Sequence, residues 1–260
     1  KALIVVDGLS MAAWWLIREK WQRQNLAFEW TKSATFAMIP TITSISRQSI
    51  FAGKLPITFP KHLFSTYHEA NHWHCFWGNK QEVIYDKGRL SDVLGRLEET
   101  TGNRTVPIIG LVINDVDDIA GAEVQGLRGL GASLKHWIDT EHLKTLIHKL
   151  LQADYSVVLT SDHGHTSAQG IGMLKEGLNV EQTCRRARLY ASETLRPEHP
   201  KAHHWEGYGL PNEVFPLLSA RYTAFSVEGK EIVTHGGASI EEVLVPFIVF
   251  QKGTKSPFRL

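Results

Sequence analysis

Three apolar runs, each ending in an acid, constrain this chain more than any other feature. They are "ALIVVD" at Ala2–Asp7, "VPIIGLVIND" at Val106–Asp115 and "YSVVLTSD" at Tyr155–Asp162. A short run without polar alternation reads as a strand covered on both faces, the pattern of a parallel sheet packed between helices. Helical segments separate the runs. Ser10 can cap "MAAWWLIREKWQRQ", "SISRQSIFAG" reads as a helix ending at Gly53, and "SLKHWIDTEHLKTLIHKLLQAD" reads as the longest amphipathic helix. Two more strands are expected at "ATFAMIPT" (Ala34–Thr41) and "VLVPFIVFQ" (Val243–Gln251). The alternation predicts an α/β chain, a three-layer α/β/α sandwich around a mainly parallel sheet. Without repeats, linkers or low-complexity tracts, residues 1–260 read as one domain. The strand that opens the chain, with no leader before it, reads as a domain excised from a longer protein.

Composition enters by what it excludes. A formal net charge of +1 builds no global field for nucleic acid or a membrane surface, although a local basic groove stays compatible with it. No apolar run approaches the ~18 residues that a bilayer span needs. Cys75 and Cys184 lie far apart without a CxxC partner, which suits a reducing, cytoplasmic compartment better than a disulfide framework.

The strand-terminal acids are the first chemical signal. Asp7, Asp115 with Asp117, and Asp162 lie where a parallel sheet gathers its ligands, at the carboxyl ends of strands. Any one of them alone reads more simply as a helix cap or turn residue. Together with His163, directly after Asp162, they point to a divalent metal; carboxylate and imidazole donors suit zinc, and also manganese. In "PTITSISRQSIFAG", Thr43 lies at the start of a helix, where free N–H groups and the dipole favour a phosphate. Arg47, four residues on, shares its helix face and can offer a planar fork to a phosphoryl oxygen. The plainer reading is an N-cap and a surface arginine. His235 precedes Gly-Gly in "VTHGGASIEEVLVP", and Ser239 with Glu242 forms a capping box just after it. His165 reads either as a pocket residue or, somewhat more readily, as a surface or supporting one. The His- and aromatic-rich segments "TYHEANHWHCFWGNK" and "KAHHWEGYGLP" could stack on bases, but read more simply as packed loops. Trp14 and Trp15 read as core.

These pieces, in this order, resemble the alkaline phosphatase superfamily: Asp7 after a strand, "PTxTxxxR" with Thr43, "SDHG" with Asp162 and His163, and "HGGxSxxExxVP" with His235. Within it, "SRQSIFAGK" and "HGGASIEEVLVPF" look like the PglZ domain of BREX-type phage-defence systems. The resemblance runs from Asp7 to about Phe250. It implies a metal-dependent phosphoesterase acting on phosphate esters, nucleic acid among them, with Thr43 as nucleophile and other phage-defence proteins as partners. One metal would be held by Asp7, Thr43, Asp162 and His163, and the other by Asp117, a histidine four residues later and His235. This chain departs there, because Gly121 stands where that histidine is expected. Asp115, Asp118 or Glu123 could substitute, or a water. The resemblance also leaves open a weakened member serving as a scaffold, or a phosphomutase.

Overall fold

The computed structural model describes residues 1–24, 26–78, 81–101, 106–174 and 182–253. Its centre is the sheet that the apolar runs predict. Strand Ala2–Val6 lies in the middle, parallel to Ile108–Ile113 on one side and Val157–Thr160 on the other, with Val83–Gly88 parallel beyond Ile108–Ile113. The last long strand, Leu244–Lys252, pairs antiparallel with Val157–Thr160 and carries Phe28–Trp30 and Ala34–Phe36 on its far edge.

Alternation along the first strand explains the layers. Ala2, Ile4 and Val6 point into the larger core, against Trp14, Ile17 and Trp21 of helix Met11–Gln22 and the apolar stripe of helix His142–Gln152. Leu3 and Val5 point the other way, to Phe51 of helix Thr43–Ala52 and Trp73 of helix Glu69–Trp77. Helices therefore cover both faces. Gly110 permits the second contact, since a Cβ there would lie 2.6 Å from the Trp73 indole nitrogen. That nitrogen donates to the Ile84 carbonyl, so the indole is seated on the sheet by a hydrogen bond as well as by packing.

Several local expectations change. The long helix is two: Gly126–Asp139 and His142–Gln152. Thr140 Oγ1 turns back to the Trp137 carbonyl, and Glu141 takes φ +60°, so the polar "DTE" ends one helix and starts another. The strand expected over Ala34–Thr41 pairs only at Ala34–Phe36. Trp14 is buried, but Trp15 is 59% exposed and lines an apolar cavity of about 1030 Å³ with Met11, Leu16, Leu127 and Leu130. One helical step of about 100° separates neighbouring side chains, so adjacent tryptophans cannot share one face. The His- and Trp-rich segment around Glu69 forms helix Glu69–Trp77, with Trp73 as its buried anchor; Asn79 and Lys80 lie outside the described residues. A small antiparallel sheet, including Ala187–Tyr190, Ala202–His204 and Phe215–Ser219, also packs beside the site and escapes the sequence reading.

Candidate active site

Because three neighbouring strands run parallel, their carboxyl ends bring distant residues together. Asp7 follows Ala2–Val6, Asp162 follows Val157–Thr160, and Asp117 lies in the first turn of helix Asp115–Ala122, just after Ile108–Ile113. Thr43 is the first residue of its helix, and His235 follows strand Glu231–Thr234.

Around His163 the contacts are close. Its Nε2 lies 3.0 Å from Thr43 Oγ1, 3.4 Å from Asp7 Oδ1 and 3.5 Å from Asp162 Oδ2. Asp162 Oδ1 accepts from the backbone N–H groups of Gly8 and His163, both at 3.1 Å. Asp7 Oδ1 and Asp162 Oδ2, by contrast, are buried without a hydrogen-bond partner. Two orphaned carboxylate oxygens facing one imidazole are costly unless a cation joins them. The donor set therefore fits a divalent ion at Asp7, Asp162 and His163, whose ligand atoms lie within 4.8 Å of one another. A second group, Asp117, His163 and His235, meets the same limit. The His163 and His235 rings stack at 3.8 Å, so His163 faces both groups rather than one.

The electrostatics agree with this fit. Burial pushes Asp7 up from the ordinary carboxylate range, against the pull of the Arg47 guanidinium. Burial and the neighbouring Asp7 raise Asp162 further, and burial with the nearby His235 drives His163 well down. Such a pair of acids ionises fully only when positive charge arrives.

Arg47 shares the Thr43 helix but faces inward, correcting the expectation that it presents its fork to a phosphate. It is buried, donating from Nη1 to Asp7 Oδ2 at 2.6 Å and from Nε and Nη2 to the two oxygens of Glu69 at 2.7 and 2.8 Å. The hydroxyl of Tyr85 also donates to Glu69. The reason is charge: Asp7 and Glu69 are both buried and share one guanidinium, which meets Glu69 with a two-bond edge and Asp7 with its remaining Nη1. Sequence reasoning missed Glu69; its only cue was a lone acid in an aromatic segment that was read as packing.

None of the three acids near Gly121 takes its place beside Asp117: two are engaged elsewhere and the third faces solvent. Asp115 accepts from Leu90 N and Trp137 Nε1, Glu123 accepts from Gln125 N, and Asp118 is exposed. His165, set to the margin above, is buried with Nε2 2.9 Å from Asp117 Oδ1 and Nδ1 3.0 Å from the Gly8 carbonyl. Its signal was its spacing: residues two apart in extended chain share a face, so His165 follows His163 toward the same space. The loop carrying His235 is braced by the expected capping box. Glu242 accepts from Gly237 N at 2.8 Å and Ser239 N at 3.0 Å, and the buried Arg186 balances its charge.

Beside Thr43 opens a cavity of about 410 Å³ lined by Ser44, Phe64, Ser65, Thr66, Cys184 and His235. Thr43 and Ser44, the first two residues of the helix, both line it; at these positions a helix leaves its N–H groups without a carbonyl of its own, whereas Ile45 N and Ser46 N donate to the Ile42 carbonyl.

The family model described as the BREX system PglZ alkaline phosphatase-like domain matches residues 1–250. No curated protein matches the chain by sequence. Among solved structures, murine ectonucleotide pyrophosphatase/phosphodiesterase 5 superposes with a TM-score of 0.67 at 12% identity, covering 95% of this chain and 87% of that one. The inactive form of the murine protein in complex with AMP gives 0.65 at 12% identity, and the human protein 0.61 at 11%, with the same coverage. At such identities the likeness is one of fold: a mixed α/β architecture around a mainly parallel sheet.

Proposed function

The chain belongs to the PglZ family of BREX-system alkaline phosphatase-like domains, and from that premise we propose that it is a metal-dependent phosphoesterase with Thr43 as nucleophile. The observation that carries this reading is the pair of orphaned oxygens, Asp7 Oδ1 and Asp162 Oδ2, facing His163 Nε2 within 3.0 Å of the Thr43 hydroxyl.

Asp7, Asp162, His163 and Thr43 would hold the first ion, and Asp117 and His235 would contribute to a second. Zinc suits these donors best, and manganese is the next choice. A divalent ion bound there would supply Lewis-acid chemistry, lowering the cost of ionising the Thr43 hydroxyl and offsetting charge on phosphoryl oxygens. The protein does the rest. The start of helix Thr43–Ala52 lines the cavity, and the N–H groups of Thr43 and Ser44 would bind phosphoryl oxygens there. Thr43 Oγ1, losing its proton to solvent, would attack phosphorus in line with the departing alkoxide, which leaves as the protonated alcohol; the resulting threonyl phosphodiester keeps the substrate's other ester group, and water then releases it as a phosphomonoester and restores the Thr43 hydroxyl. Arg47 touches none of the reacting atoms; it positions Asp7. The substrate class is a phosphodiester, nucleic acid among the candidates, and the setting is cytoplasmic phage defence beside other defence proteins.

A second reading, a catalytically weakened scaffold, draws on Gly121, where the resemblance implies a ligand. Metal analysis separates the two. Two equivalents of zinc or manganese in the purified protein, with chelator-sensitive hydrolysis of a nitrophenyl phosphodiester, support the enzyme. No bound metal and no turnover would sink it.

Metal binding should also depend on pH with a definite sign. Asp7 and Asp162 are raised, so the metal-free folded protein keeps protons that the unfolded chain has released. Its stability therefore falls as pH rises from the ordinary carboxylate range through the raised values. His163 is lowered, so its contribution runs the other way: the cost of burying it neutral fades as pH rises to about 6.5. A metal displaces the carboxyl protons and needs the imidazole neutral, so both effects make loading stronger at higher pH. The rise in melting temperature on adding zinc should grow between about pH 5 and 8, reaching about 2.7 kcal/mol of stabilisation at a hundredfold excess over Kd. Thermal melts with and without chelator check this, and a shift independent of pH contradicts it.

A further inference from the structure

We propose that a cavity lined by Arg185, Arg188 and Lys230 holds a second phosphate of the substrate, so that the substrate is a strand of nucleic acid rather than an isolated phosphate ester. This rests on the phosphoesterase reading above and adds to it a subsite for the phosphate that flanks the scissile one.

The cavity at Thr43 has no lysine or arginine among its lining residues, and Arg47 is turned away to Asp7 and Glu69. The cations stand next door. A second cavity, of about 380 Å³, is lined by Arg185, Arg188, Lys230 and Ser226, and by no carboxylate. Cys184 lines both cavities. Its thiol accepts from Ala187 N at 3.2 Å and is seated against Gly236, where a Cβ would collide with it, in the loop of His235. A strand with one phosphate over Thr43 therefore passes Cys184 to reach three positive charges.

The three cations differ in how they are held. Arg188 is buried, donates from Nη1 to the carbonyls of Cys184 and Ala187, and lies 5.0 Å from the centre of the Phe225 ring, so the fold sets its position. Arg185 and Lys230 are exposed, and their side chains make no ion pair among the described residues. The acids that flank Lys230 in sequence, Glu228 and Glu231, do not line the cavity, and Glu231 accepts from Ser167 instead. Like charges gathered this way repel one another, in a chain whose formal net charge is only +1. A phosphate relieves that repulsion, and its oxygens suit a guanidinium fork and an ammonium group. In the reading above, the helix start and the metal serve the scissile phosphate, so these cations serve its neighbour. A nucleic-acid backbone presents such a second charge, and an isolated phosphate ester does not.

Fluorescence anisotropy of a labelled oligothymidylate with the Thr43→Ala protein tests this without turnover. Arg185→Ala and Lys230→Ala, added singly, should each lower the slope of log affinity against log salt by about one, and together they should weaken binding roughly tenfold or more. Lys230→Arg keeps the charge and should retain the affinity. With Thr43 restored, the double variant should show a fall of roughly tenfold in kcat/KM for the oligomer relative to kcat/KM for a nitrophenyl phosphodiester. Both side chains are exposed, so the variants should fold. Unchanged affinity and salt slope in the double variant overturn the inference. An equal loss on both substrates also overturns it, because the cations would then serve the scissile phosphate itself. Thymidine triphosphate competing as well as the oligomer would overturn the strand assignment in favour of a nucleotide's own phosphates. No binding of the oligomer at low salt, by a protein whose Thr43 form hydrolyses the nitrophenyl diester, overturns the inference and leaves the phosphoesterase reading standing. Binding that depends on Arg185 and Lys230, with no turnover of either substrate, supports the strand site and sinks the phosphoesterase reading.

Discussion

Replacing Thr43 with alanine should reduce phosphodiester hydrolysis by roughly a thousandfold or more, the scale on which removing a covalent nucleophile acts. The change is clean because Thr43 does little for the fold. Ile42 is the N-cap residue of the helix and makes no side-chain cap bond, and alanine is a good helix former at its first position. Asp7, Asp162 and His163 remain to hold an ion, so metal content and melting temperature should stay near wild type. Thr43→Ser keeps a hydroxyl and should retain much of the rate. Rates, metal content and melting measured on the same preparations decide the matter. Activity in Thr43→Ala within about tenfold of wild type would remove Thr43 from the mechanism.

Arg47→Ala should have the largest effect on stability. The guanidinium is buried and satisfies two buried carboxylates, Asp7 and Glu69, with three hydrogen bonds of 2.6 to 2.8 Å. Removing one partner of such a network leaves charge uncompensated and typically costs 3–5 kcal/mol. In a chain of this size that corresponds to a fall in melting temperature of roughly 10 °C. Arg47→Lys should recover only part of it, because one ammonium cannot meet both oxygens of Glu69 and Asp7 together. A fall below about 2 °C for Arg47→Ala would mean that the network is not the brace described here.

Much of this was readable before any coordinates, for a physical reason. Unbroken apolar runs such as Ile108–Ile113 report burial on both faces, and burial on both faces implies a parallel sheet whose carboxyl ends converge. Asp7, Asp117 and Asp162 could therefore be grouped although they lie far apart in the chain. What resisted reading depends on partners supplied by the fold. Nothing near Arg47 announces that Glu69 will be buried opposite it, so its direction was misjudged. His165 takes its meaning from Gly8 and Asp117, 157 and 48 residues away. Trp15 shows a different limit: composition around it is apolar, but helix geometry turns it away from Trp14. The break at Thr140–Glu141 was visible only as three polar residues, too short an interruption to outweigh the periodicity on both sides.

The backbone tethers on the imidazoles bear on the order of events in the protein's life. His163, His165 and His235 each direct Nδ1 at a main-chain carbonyl, that of Gly164, Gly8 and Thr41 respectively. Each ring is therefore oriented through the protein's own backbone, and the apolar cores are built from other residues. Small zinc modules, in contrast, fold only as they capture metal. On the metal-dependent reading proposed above, the chain would fold and persist in a metal-poor interval and become competent once a divalent ion reaches it. Supply of the ion, rather than supply of the polypeptide, would then set when the site switches on.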